Sequence, residues 1–378
     1  MNTVAAGVSL ILLMLVSVAG SAPSTGAKAS ELVAPYLKPP RLVRIRGRTI
    51  NLVCIGQGSP TVVLTAGARG WSLVWYRIQG EISQKTRVCA WDPAGLGFSS
   101  ASPEPQDAIH KTEDLALALK GADVDGLYVM VAHSAGAYVA LTFADQHREA
   151  VAGIVLLDPA IPDEAAVRER VAPKFAAFGD AGPSADVERL RQCAAGMRSG
   201  ALKQGTPGFD ECTAQPLPTA FASLSATLAQ LNADPARLLT QASPMENALR
   251  SEREVVNAKR NYADMPLIVL TAGQHPMPPN VPADVREQAA EYFRALGSGH
   301  KAYAALSTRG RNELVPDSGH FIQLESPVVV VQTIEQVLAE IRAQRSQGPG
   351  DRRSRPLAGA RGSVLQPRTN SELFPGAR

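Results

Sequence analysis

The 378-residue chain contains no phosphate-cradling glycine loop, no dinucleotide-binding glycine fingerprint, no metal-ligand cluster and no internal repeat. Nucleotide-driven, hydride-transfer and metal-centred chemistry therefore have no basis in the sequence, and neither does a solenoid architecture. No cofactor or metal is expected. Net charge is also scarce. The formal +3 arises in the tail, where eight arginines from Arg342 onward face only Asp351 and Glu372; that segment carries +6 and leaves residues 1–341 at −3. A body of that sign offers no footprint for nucleic acid. The apolar run Val8 to Val18, broken only by Ser9 and Ser17, is too short for a membrane-spanning helix, which needs about 20 residues. No cysteine precedes Cys54, so nothing suggests a lipid anchor.

That apolar run, followed by small residues, reads as a secretory signal over 1–27, although no Lys or Arg precedes it. It predicts an exported protein, periplasmic or secreted, with an uncleaved N-terminal anchor as the alternative. Residues 28–40, rich in Ala and Pro, read as a linker. From 346 to 378 the chain is Gly, Pro, Arg and Ser rich and reads as a disordered basic tail. Four cysteines suit an oxidising compartment. A bridge between Cys193 and Cys212 would close a short loop, Cys54 and Cys89 lie in separate strand-like runs, and buried free thiols are the alternative for all four.

Between these ends, 45% apolar and 19% charged residues describe a globular chain with a sizeable core. Arg41 to Arg46 and Thr49 to Ile55 read as a hairpin turned at Gly47-Arg48. Thr61 to Thr65, Arg87 to Trp91, Leu127 to Val131, Ala152 to Asp158 and Pro266 to Leu270 read as strands, and a short one is placed at Glu313 to Val315. Helix-like segments at Asp107 to Gly121, from Gly136 to about Arg148, Ala283 to Leu296 and Pro327 to Arg345 alternate with them. Such alternation implies a mostly parallel sheet with helices on both faces. From 159 to 264 no strand is legible, only helix-like pieces, among them a capping-box start at Ser243-Pro244-Met245-Glu246. The core is thus expected in two parts, 41–158 and 265–345, around an inserted helical cap at 159–264.

The segment Ala132-His133-Ser134-Ala135-Gly136 turns a buried strand into a helix. Small residues two before and two after the serine are what such a strained elbow requires, since it lifts the hydroxyl above the sheet. An N-capping serine at an ordinary strand-to-helix turn would look similar.

With Thr65-Ala66-Gly67-Ala68, Trp91 to Ser99 and Ser318-Gly319-His320-Phe321 in this order, the chain resembles the α/β-hydrolase family over about 41–345. The resemblance implies an eight-stranded α/β-hydrolase sheet with Ser134 as nucleophile and His320 as base. Asp158, after the strand preceding the cap, would be the acid, because the loop after Leu270 has no carboxylate; Asp284, Asp317 or another acid of the cap are the alternatives. The backbone amides of Ala68 and Ala135 would form the oxyanion hole, and Trp71 and Trp75 would line the acyl pocket or pack the core. His133 is read as structural. The family's strand order would put Cys54 and Cys89 on neighbouring strands, where a bridge is conceivable. A serine in place of an aspartate at the elbow implies acyl rather than alkyl-enzyme chemistry. The expected activity is hydrolysis of a small-molecule ester, thioester, lactone or amide, and the contrasting expectation is a non-catalytic binding protein on the same fold.

Overall fold

A computed structural model describes residues 31–347. The proposed signal and nearly all of the basic tail lie outside them. Eight strands form one sheet in the order β1-β2-β4-β3-β5-β6-β7-β8. β1 (Leu42–Ile45), β2 (Arg48–Ile55) and β4 (Val88–Trp91) pair antiparallel, while β3 (Thr61–Thr65), β5 (Tyr128–His133), β6 (Val151–Leu157), β7 (Leu267–Ala272) and β8 (Arg311–Val315) continue from β4 in parallel. The hairpin turns at Arg46 and Gly47, both with positive φ, one residue earlier than the sequence suggests.

The central strands are apolar throughout because both faces are covered. Along β5, Met130 and Ala132 join one core cluster, and Val129 and Val131 join the other. Short α1 (Gln79–Ser83), α2 (Ala108–Gly121), α3 (Gly136–Gln146), α10 (Ala283–Ala304), short α11 (Ile322–Glu325) and α12 (Pro327–Gln347) supply helical cover. Part of the expected linker is packed: Val33 and Tyr36 are buried, with the Tyr36 hydroxyl bonded to Gln79.

Between β6 and β7 stand α4 (Glu164–Val171), α5 (Pro173–Arg198), α6 (Phe209–Thr213), α7 (Ser225–Asn232), α8 (Pro235–Glu246) and α9 (Ala248–Glu254). The start expected at Ser243 is instead the end of α8, whose N-cap Asp234 accepts from Ala236 N and is followed by Pro235 at the first helical position. Ser243 Oγ is engaged elsewhere, accepting from Gln106 N at 3.0 Å. Buried Arg237 of α8 donates to the carbonyls of Gly97 and Ser99, and Gln241 donates to that of Gly95 at 2.9 Å, so the insertion is tied to the loop after β4. All four cysteines are bridged: Cys54–Cys89 joins the directly paired positions of β2 and β4, and Cys193–Cys212 joins α5 to α6.

Candidate active site

The parallel strands end at one edge, and the sequence-selected residues lie in the turns there. Ser134, directly after β5, has φ 52°, a left-handed conformation unusual for a residue with a Cβ. Gly136 makes the turn possible, since a Cβ there would stand 2.5 Å from Thr65 O and 2.6 Å from Ala66 O. Gly67 faces the serine from the β3 loop, and its added Cβ would sit 3.0 Å from Ser134 Cβ and 3.4 Å from Oγ. Ser134 is half-buried, and Ala68, which follows Gly67 in the β3 loop, is exposed. Among the described residues the amides of Ala68 and Ala135 make no hydrogen bond, and Ala135 caps the N-terminus of α3, where the helix dipole favours negative charge.

His320 follows β8, and its Nδ1 donates to Asp158 Oδ2 at 2.7 Å. Asp158 is nearly buried after β6, and its Oδ1 accepts from Ala272 N at 3.0 Å. Burial alone would push this carboxyl up. The His320 hydrogen bond and charge, together with the Ala272 amide, hold it below the usual carboxylate range. The other candidate acids stand apart: Asp284 pairs with Lys174 at 2.7 Å on the surface, and Asp317 is exposed without a bond to His320. Glu325 accepts from Gly319 N at 2.7 Å and closes the base loop on itself.

Three side chains make contacts that were not legible in the sequence. The buried ring of His133 donates through Nε2 to the backbone carbonyl of His320 at 2.9 Å. Buried His300 of α10 donates to Pro159 O at 2.8 Å and meets Thr271 Oγ1 with its other nitrogen. Lys111 of α2 reaches the Ala68 carbonyl at 3.5 Å, and burial pushes its ammonium down to about 8. Each pairs residues far apart in the chain, and only the adjacency of His133 to Ser134 hinted at one of them.

The loop after β3 is held at Arg69 and at its far end, Ser72. Arg69 pairs with Asp186 of α5 at 3.2 Å, which connects the loop to the insertion. Asp92, buried after β4, accepts from Ser72 N, Phe98 N and Asn51 Nδ2. Trp71 and Trp75 are core residues, 4% and 0% exposed. After β7, where no carboxylate stands, His275 stacks on Phe293 at 3.6 Å and lines a groove of about 600 Å³ between α10 and the β7–β8 end of the sheet. Among the described residues no group of three or more His, Cys, Asp or Glu side chains is arranged to hold a metal ion, and no helix is long and apolar enough to cross a membrane.

Residues 59–333 match the alpha/beta hydrolase family. The uncharacterized protein YqjL of Bacillus subtilis is 33% identical over 108 residues, 29% of this chain and 43% of that one. The chain spans less than half the length of the curated relatives it matches. Among solved structures, the epoxide hydrolase CorEH superposes with a TM-score of 0.53 at 18% identity, covering 80% of this chain and 99% of that one, a likeness of fold. A thermophilic esterase from Thermogutta terrifontis gives 0.47 at 21% identity over 80% of this chain and 98% of its own.

Proposed function

The chain belongs to the alpha/beta hydrolase family, and from that premise we propose that it is a serine hydrolase cleaving a carboxylic ester, or a related thioester, lactone or amide, through an acyl-enzyme. The observation that carries the reading is the 2.7 Å bond from His320 Nδ1 to the buried Asp158 carboxylate, made by a histidine whose loop rests against the residue preceding Ser134. A serine hydroxyl is a poor nucleophile at neutral pH. In the proposed reaction Ser134 Oγ attacks the substrate carbonyl while His320 Nε2 takes its proton, and Asp158 fixes the imidazole tautomer and offsets the imidazolium charge. The oxyanion is met by the N–H groups of Ala68 and Ala135, each of which contributes about 10²–10³ in rate. Collapse expels the alcohol, thiol or amine with the proton from His320. Water, deprotonated by His320 in turn, then releases the acid and frees Ser134.

A hydroxyl at position 134, rather than a carboxylate, favours an acyl over an alkyl intermediate. The test is a panel of p-nitrophenyl esters of increasing chain length, assayed beside lactone and amide substrates with wild type, Ser134→Ala and His320→Ala. The reading expects turnover of at least one class and a loss of about 10⁵–10⁶ in either variant, with little further loss in the double variant because the two act as a unit. Ester turnover surviving Ser134→Ala would refute it. A folded wild type inert to the whole panel would favour the binding-protein reading.

A further inference from the structure

The serine-hydrolase reading gives no task to the ring that joins the elbow to the base loop. Granting that reading, we propose that His133 is the positioning residue for His320: its ring holds the backbone of the base loop so that the His320 imidazole is aligned with Ser134.

The contact is directional. A backbone carbonyl can only accept, so the 2.9 Å bond to His320 O requires the hydrogen on His133 Nε2 and leaves Nδ1 bare. The two rings lie with centroids 4.5 Å apart, and Phe321 closes over His133 at 5.0 Å. On its other edge Nδ1 faces Gly67, where any Cβ would stand 3.4 Å away. One imidazole therefore touches the base loop and the β3 loop and is covalently next to the nucleophile. It is 3% exposed, so its orientation is set by packing rather than solvent.

Its protonation state suits the role. The charged groups that face it are His320 and Asp158. Burial and the His320 charge bring it down to about 3, against the opposing pull of the carbonyl bond and Asp158, so the ring is neutral at any pH where a serine hydrolase operates. The imidazolium formed on His320 during attack thus meets a neutral dipole, not a second cation. Alignment of this kind is worth a large factor, because a displacement of about 1 Å at a reacting group can cost about 10²-fold.

The test compares His133→Leu, which fills the volume without a donor, with His133→Gln, whose side-chain amide can donate to the same carbonyl. Turnover of a p-nitrophenyl ester and the rate of labelling by a fluorophosphonate are read together with the thermal midpoint. The proposal expects kcat and labelling rate to fall in parallel by about 10²-fold in His133→Leu with KM little changed, and most of that loss to be recovered in His133→Gln. Wild-type kcat in His133→Leu overturns it, as does equal loss in both variants tracking a fall in thermal midpoint. If His133→Leu does not fold, His133→Asn, too short to reach the carbonyl, takes its place against His133→Gln with the same outcomes. A wild type that resists labelling would undo the serine-hydrolase reading itself, whereas a labelled wild type with an undiminished donorless variant would undo only the role of His133.

Discussion

Asp158 divides its carboxylate between two donors, with Oδ2 on His320 Nδ1 at 2.7 Å and Oδ1 on the Ala272 backbone at 3.0 Å. The second bond fixes the carboxylate plane, so the imidazole is held by an acceptor that cannot swing away. Asp158 itself adopts φ 41°, a conformation Asp tolerates better than most residues with a Cβ.

Asp158→Asn should therefore keep the shape of the site and lose its charge. Turnover is expected to fall about 10⁴-fold, because an amide can present a donor to Nδ1 and favour the wrong tautomer. The carboxyl also leaves a mark on stability. Its folded pKa lies below the unfolded value of about 3.9, so its stabilisation is complete above that value and is lost as pH falls through the folded pKa. Denaturant midpoints measured from pH 5 downward should decline less steeply in Asp158→Asn than in wild type. An equal slope would mean that the His320 contact is not formed in solution.

The elbow makes a steric prediction. In Gly136→Ala the new Cβ meets two backbone carbonyls, at Thr65 and Ala66, neither of which is the movable end of a side chain. The elbow or the end of β3 must shift, at a cost of about 1–3 kcal/mol in unfolding free energy, and labelling of Ser134 should slow because Ala66 leads into the loop that carries the proposed oxyanion donor Ala68. Gly297→Ala on α10 is the control. Nothing lies within 4 Å of its Cβ position, and removing a helix-interior glycine should be neutral or raise stability by up to about 1 kcal/mol. Equal behaviour of the two variants would contradict the close approach of Gly136 to the β3 loop.

The sequence is legible where one physical requirement dominates. Strands buried on both faces are continuous apolar runs, and β3, β5, β6 and β7 stand within a residue or two of where those runs place them. Helix ends are harder. The sequence pattern stops the helix from Ala283 near Leu296, yet it continues to Ala304 through Gly297 and Gly299. Gly299 is used for close packing against Ile161, whose Cγ2 would lie 2.6 Å from an added Cβ, so what looks like a stop signal is a contact. The Cys54–Cys89 pairing follows from strand order and not from spacing. His133 and His300 act through backbone carbonyls, which no residue pattern marks.

The two bridges predict a redox dependence. Denatured without reductant, the chain should titrate no thiols, since all four cysteines are paired. Closing loops with sequence separations of 35 and 19, the bridges should contribute about 3–4 kcal/mol each, the longer loop more. Replacing Cys193 and Cys212 together by serine should lower unfolding free energy by about that amount and make the remaining loss on reduction smaller. Free thiols in protein purified from an oxidising compartment would contradict the pairing.

The most direct measurement is intact-mass and peptide analysis after brief exposure to a fluorophosphonate. Labelling requires an activated serine, so a folded protein with the proposed site should gain one adduct, on the peptide containing Ser134. Ser134→Ala should gain none, and His320→Ala should label more slowly by at least about 10²-fold, the lower range for a missing general base. An unlabelled but folded wild type, or an adduct at another serine with ester turnover intact in Ser134→Ala, would contradict the account.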